Sequence, residues 1–493
     1  MKKHIIFGFT ILLSLGACEE DFLENPPEGQ LTNAVFPVTV QDAILATNGA
    51  YNILRDWRFN SGGFPMFDIM SDDAKKGSNP GDAAPIQLFE DFDYDASSGN
   101  IHGYYTTLYE VIRKSNFVIN QVPAIQMDQD LQSRLIGEAL FIRALAYFRL
   151  TNAFGDVIIV TNNENVSLSF ERNPRSEVRS LIIEDLQFAI DNLPEKSEYP
   201  ESELGRATKG AARALLAKNY LWMENYEMAA QYALEVINSG QYTLDPAYGN
   251  VFSKSGEFGP GSIFETGALP FSSPDRGGNQ YANTQGVRGT PNRGWGFNRP
   301  SWDLIQFYRS RNDPREDETI IYLGEVLDGV TILGDPTTPD TTYEDGIIVQ
   351  VETYNEKVWV PGTTSEEQWE HNVRIIRYAD ILLVAAEALT QLGRTEEALT
   401  YLNMVRERAR GNNEETLPDI TTTNQEELLD IILAERRAEL AMEGERFFDL
   451  VRTGRAAEVL GPLGYQENQH DILPIPQNEI DLSGGELAQN QGW

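Results

Sequence analysis

Residues 374–387 read Arg-Ile-Ile-Arg-Tyr-Ala-Asp-Ile-Leu-Leu-Val-Ala-Ala-Glu, and this run decides the fold class. Tyr378, Leu382, Ala385 and Leu389 recur at the spacing of one helix face, while Arg374, Arg377, Asp380 and Glu387 line a second, polar stripe. Past a turn at Gly393-Arg394 come Ala398, Tyr401 and Val405. The pattern also stands 169 residues earlier, where Ala217 precedes a turn at Glu224-Asn225 and then Ala229, Tyr232 and Val236. Small residues at fixed places admit close helix crossings, so the two stretches read as copies of one helix-turn-helix unit.

Such a unit is the building block of tetratricopeptide-type arrays. The pattern reads as a degenerate helical repeat. Working outward, periodicity predicts helices near 40–54, 104–121, 131–154, 176–192, 208–223 and 226–239. The third carries Leu135, Ala139, Ile142, Ala146 and Arg149 and ends at Gly155-Asp156. Two tracts break the pattern. Residues 56–100 crowd Gly, Pro and Asp around Trp57, Phe64, Phe67, Phe89, Phe92 and Tyr94, a mixture that reads as functional surface more than core. Residues 241–370 are rich in Gly, Pro, Asn and Thr with strand-like runs at 319–323 and 346–351. A tract of that length exceeds any ordinary loop and reads as an insertion folding over the array. The expected division is a signal over 1–17, a tether over 18–40, helical repeats with binding loops over 41–240, the insertion over 241–370 and a helical region over 371–493.

Lys2 and Lys3 ahead of an apolar run from Ile5 to Leu15 form a secretory signal too short to span a bilayer. Leu15-Gly16-Ala17-Cys18 resembles the lipobox of bacterial lipoproteins, which makes Cys18 the lipidated first residue of the mature chain. It is the only cysteine, so no internal disulfide forms. With 39 Lys plus Arg against 75 Asp plus Glu, the net charge of −36 disfavours phosphate backbones, and nucleic acid is not an expected partner. No later stretch is long and apolar enough for a membrane helix, so attachment rests on the lipid. Glu19-Glu20-Asp21 matches the acidic surface-export signal of Bacteroidetes lipoproteins.

Signs of catalysis are absent from the motifs. There is no Walker A loop and no H-E-x-x-H, and lipidation removes the one thiol. Asp91-Phe92-Asp93-Tyr94-Asp95 begins like a calcium loop but has Ala96 and His102 where such a loop needs Gly and Glu, so it reads as solvated acid. Glu435, Glu439 and Glu443 stack like charges ahead of Arg446. Paired catalytic carboxylates compete there with a buried ion network pinning helices, and regular helices favour the network.

The lipobox joins three further signatures: the 374–387 run; Ile432-Leu433-Ala434-Glu435-Arg436-Arg437-Ala438-Glu439-Leu440 with Glu443-Gly444, Arg446 and Asp449-Leu450; and Leu473-Pro474-Ile475-Pro476-Gln477-Asn478-Glu479-Ile480 with the terminal Gln489-Asn490-Gln491-Gly492-Trp493. Together with Arg143 to Phe148 and Phe154-Gly155-Asp156, the chain resembles the SusD/RagB family of outer-membrane nutrient-binding lipoproteins. The resemblance implies a mainly α fold, a tetratricopeptide-like helical superhelix with a loop-rich ligand-binding subdomain, in a non-enzymatic protein that docks over a SusC-type TonB-dependent channel at the outer membrane and holds oligosaccharide for import. A peptide ligand is the alternative within the family, and a glycoside hydrolase is a further one. No metal or organic cofactor is expected. Residues 241–370 match least, as expected where ligand choice varies.

Sugars present C–H patches beside hydroxyls, so a site needs aromatic platforms flanked by hydrogen-bonding groups. The first loop tract offers Asp73, Asn79 and Tyr94; the second offers Tyr281, Arg288, Arg293 and Trp295. Trp295 leads, because Gly294 and Gly296 give it little local cover, while core packing remains open for it. Trp57 and Trp302 lie nearer predicted helices and are expected in the core.

Overall fold

A computed structural model describes residues 36–163, 170–273, 276–362, 369–413 and 415–493. The signal, Cys18 and the acidic tripeptide lie outside them. Eleven helices organise the described chain: α1 Val40–Asn52, α2 Gly99–Gln121, α3 Gln129–Phe154, α4 Arg175–Asn192, α5 Lys209–Trp222, α6 Tyr226–Asn238, α7 Trp302–Arg311, α8 Tyr378–Gln391, α9 Thr395–Arg410, α10 Gln425–Leu440 and α11 Arg446–Arg452. Further short helices and helical turns, Ala84–Glu90 among them, join these.

From α2 to α6 each helix packs on the next, and α6 packs directly on α8, which also receives α9 and α10. The two copies of the repeat are therefore neighbours in space, with the insertion looped out between them. Ala217, Ala229, Ala386 and Ala398 are all fully buried, as are Val236 and Val405, and this admits the close crossings. The turns match too. Asn225 N–H donates to Tyr220 O (3.0 Å) and Arg394 N–H to Leu389 O (2.8 Å). The residue before each donor is left-handed, Glu224 at φ 55° and Gly393 at φ 74°.

Three sequence expectations need correction. First, α2 begins five residues before Tyr104. Ser98 caps it by accepting from Ile101 N–H (3.5 Å), and Ile101 is buried, whereas Gly99 and Gly103 hid the periodicity. Second, residues 374–377 are not helical. Val373–Arg377 is a strand antiparallel to Ser262–Thr266, which suits its β-branched Val373, Ile375 and Ile376, and α8 starts at Tyr378. Likewise α10 ends at Leu440, so Glu443 reaches the network from a turn in which Met442 has φ 66°. Third, the aromatics of 56–100 mostly turn inward: Phe67, Phe89, Phe92 and Tyr94 are buried, and only Trp57 and Phe64 stay half-exposed.

The carboxylate stack is a buried ion network. Glu435 accepts from Arg315 (2.6 Å), Arg406 (2.7 Å) and Arg311 (2.9 Å). Glu439 accepts from Arg315 (3.1 Å), Arg377 (2.9 Å) and Arg408 (2.5 Å), and Glu443 from Arg377 and Lys357 (both 2.7 Å). Arg446, by contrast, is engaged by Asp72 (2.8 Å). Arg311, Arg315 and Lys357 belong to the insertion, so its cations clamp it to α10 and the turn beyond. A second clamp is a strand pair, Ala74–Gly77 with Phe297–Pro300, joining the first loop tract to the insertion.

Candidate functional site

That strand pair builds the site. Gly77 faces Phe297, and Ser78 N–H donates to Gly296 O (2.5 Å). A Cβ on Gly77 would lie 2.5 Å from Gly296 O, and one on Gly296 would lie 2.9 Å from Arg288 Cβ; both glycines are left-handed. The approach therefore needs glycine on both sides. It lays Arg288 across the first tract, where the guanidinium donates to Ser78 Oγ (2.7 Å) and Asp82 Oδ2 (2.5 Å) and its Nε lies 2.8 Å from Asp335 Oδ2. Asn79 joins the cluster through Thr337 Oγ1 (2.9 Å). Asn79 and Arg288, expected from separate tracts, thus meet.

Adjoining Gly296 is Trp295, half-buried, its backbone N–H on Asn283 O (2.7 Å). Its ring meets that of Trp57 at 6.4 Å and 89°. Trp57 meets Phe64 at 5.5 Å, and Phe64 meets Phe297 at 4.8 Å. Trp57 lies on Gly63, where a Cβ would come within 2.9 Å of the indole. Arg58 is exposed beside it, 5.6 Å from the ring centre. Trp57 is not core, contrary to expectation. The turn formers around it, Asp56 and Gly62-Gly63, were the available signal, outweighed by its nearness to α1. Trp302 is also half-buried, under Arg309 at 5.8 Å.

Burial removes three other expected residues, Tyr94, Asp73 and Arg293, from ligand reach. Tyr94 packs among Phe89, Phe92, His470 and Trp493, and burial pushes its phenol well above the usual range. Asp73 is fully buried against Arg437 Nε (2.8 Å). Arg293 is buried over Trp359, 4.2 Å from the ring centre. Tyr281 stacks on His371 (6.1 Å, 16°) and borders a cavity of about 100 Å³ that Asn60 also lines. Asp73 and Tyr94 failed because composition does not say which way a loop aromatic or acid points.

The face thus combines two half-buried indoles at right angles with a cluster of guanidinium, amide, hydroxyl and carboxylate groups. That is equipment for holding a hydroxylated ring by stacking and planar hydrogen bonds. Among the described residues no group of three or more His, Cys, Asp or Glu is placed to hold a metal, and no helix is long and apolar enough to cross a membrane.

Known proteins share this architecture. A family model described as the SusD family matches residues 260–493, and one described as starch-binding associating with outer membrane matches residues 21–221. SusD-like protein P2 of Formosa agariphila is 27% identical over the whole of both chains. Among solved structures, a laminarin binding SusD-like protein is 29% identical with a TM-score of 0.77, over 92% of this chain and 100% of that one. Surface glycan-binding protein A from Bacteroides thetaiotaomicron, solved in complex with laminarihexaose, is 27% identical with a TM-score of 0.76 over the same shares. With both parts of the chain matched in order and the helical array held in common, the chain belongs to the SusD family.

Proposed function

We propose that this chain is a surface-exposed, lipid-anchored glycan-binding protein. It captures oligosaccharide on the Trp57–Trp295 face and delivers it to a SusC-type TonB-dependent outer-membrane transporter. The observation that carries the reading is the right-angled indole pair beside the Arg288–Asp82–Asn79 cluster. One indole offers a face to the C–H side of a pyranose while the polar cluster meets its hydroxyls. The solved relatives named for laminarin and laminarihexaose make β-linked gluco-oligosaccharides the first ligands to test. The family description associates its members with the outer membrane, and the lipid on Cys18 supplies the anchor. The protein acts by binding and not by turnover: Asp82 and Asp335, the acids of the polar cluster, are engaged by Arg288.

Calorimetric titration with laminarihexaose tests this. Trp295→Ala is expected to weaken binding about tenfold or more with an unchanged melting temperature, since a stacked ring contact of about 1.5 kcal/mol corresponds to roughly that factor. A fallen melting temperature with normal binding by the folded fraction would make Trp295 a packing residue and refute the face. Release of reducing ends from the hexamer would refute the non-enzymatic reading.

A further inference from the structure

Directly beside the indole pair, the turn 57–60 does a second thing. Trp57 is half-buried in the indole pair, while Asn60 lines the cavity of about 100 Å³ bordered by Tyr281, Tyr104, Trp222, Phe448 and Arg149. One water needs only about 10–15 Å³ of such space, so the cavity has room for a charged substituent.

Most charged groups on its wall are matched. Lys218 holds Asp380 (2.6 Å) and Glu445 (2.8 Å), Glu443 holds Arg377 and Lys357, and Arg374 donates to the carbonyls of Val251 (3.0 Å) and Ser253 (2.9 Å) with Glu265 at 3.8 Å. Among the described residues Asp68 has no cation within ion-pair distance, yet it accepts from Gly444 N–H (2.7 Å) and Asn298 Nδ2 (3.1 Å), and burial pushes its carboxyl up to about 7, so it can shed its charge. Arg149 has no such escape, because a guanidinium stays protonated. Among the described residues its one hydrogen bond is from Nη1 to Phe59 O (2.6 Å), it stacks on the Phe59 ring at 4.1 Å, and no acid lies within ion-pair distance. One residue along, the buried Asn60 Nδ2 has no acceptor among the described residues. Two neighbouring donors with unused capacity on an aromatic-walled cavity lack one thing, an oxyanion.

We propose that this cavity is a subsite for an anionic substituent of the glycan, a carboxylate or a sulfate ester, bound by Arg149 and Asn60 while the sugar chain lies on Trp57 and Trp295. The inference rests on the glycan-binding reading of the face and names a ligand class within it, acidic oligosaccharides. The surface charge of the chain repels polyanions at long range, but at about 0.15 M salt that field decays within about 8 Å, leaving the local guanidinium to decide.

The test is calorimetry at that ionic strength with three probes: laminarihexaose, the same hexamer oxidised to the carboxylate at C6, and sodium sulfate. The wild-type protein should bind the oxidised hexamer at least tenfold tighter than the neutral one. Arg149→Gln should bring that ratio to about one and Arg149→Lys should leave it between, because lysine keeps the charge but loses the fork. If Arg149→Gln does not fold, the lysine variant decides alone, and an undiminished ratio there overturns the proposal. Wild-type binding of the neutral hexamer with no preference for the oxidised one overturns the subsite and leaves the face intact. Binding of neither hexamer overturns both. Binding of sulfate lost in Arg149→Gln, without selectivity between hexamers, makes the cavity a free-anion pocket and refutes the glycan assignment.

Discussion

Removing the carboxylate of Glu439 tests the ion network at its centre. The group is fully buried and accepts from Arg315, Arg377 and Arg408. Burial pushes its carboxyl up, and Arg408, Arg377 and Arg315 outweigh that and hold it far below the ordinary glutamate range. In Glu439→Ala the three cations fare differently. Arg315 keeps Asp313 and Glu435, and Arg377 keeps Glu443. Arg408 loses its only ion-pair partner among the described residues, with its side chain 4% exposed and just the Tyr248 ring, 5.1 Å away, for company. One stranded buried charge places the cost at the lower end of the range for a broken buried pair, about 3 kcal/mol. Urea denaturation at pH 7 reads this as a lower midpoint at unchanged slope. Arg408→Leu in the same background should restore on the order of 1 to 2 kcal/mol, since it removes the stranded charge. The folded carboxyl titrates below the unfolded one, so its contribution is complete above the unfolded value of about 4.3 and fades as pH falls below it. The gap between wild type and variant should close in acid. A change within about half a kcal/mol at pH 7, or no recovery in the double variant, would refute the assignment of Glu439 as the linchpin.

Three further outcomes are expected. Glu224→Gly should raise the melting temperature, the gain being up to about 1 kcal/mol, because a left-handed glutamate stands where the second repeat has glycine; a lower melting temperature would mean the side chain matters more than the backbone. Asp68, raised to about 7 when folded, binds its proton more tightly in the native state, so its contribution falls as pH rises from about 4 to about 7. Asp68→Asn should gain on wild type across that interval in thermal melts at stepped pH, and a constant difference would refute the shift. Cys18→Ala should move the protein from the membrane to the soluble fraction, and a variant that still pellets with outer membranes in a strain lacking the partner channel would refute the anchor.

The helical array was legible because alanine at a crossing is a local signal: Ala217 and Ala386 announce a close neighbour without naming it. Charge pairing carries no such address. Nothing in Pro314-Arg315-Glu316 says that the guanidinium will end between Glu435 and Glu439, so the docking of the insertion was invisible although its existence was not. The arrangement of the candidate face is legible only in part for a related reason. Gly294 and Gly296 marked Trp295 as uncovered, and Asn79 and Arg288 were read from tracts that do meet. Tyr94 was misread because an aromatic among turn formers packs inward when Phe89 and Trp493 wait for it, which is a long-range fact. Trp57 was missed because adjacency to a helix in sequence says little about which side of the chain faces solvent.

The contact of α6 with α8 makes the insertion a parenthesis in an otherwise continuous helical text, and parentheses ordinarily can be exchanged. This one is not freely exchangeable. Arg311, Arg315 and Lys357 neutralise carboxylates that belong to the surrounding array, so a foreign segment spliced between α6 and α8 would leave Glu435 and Glu443 short of cations unless it brought its own to the same points. Recombination among chains of this kind is thereby constrained: the stretch that reaches α10 has to be inherited together with the helix it completes.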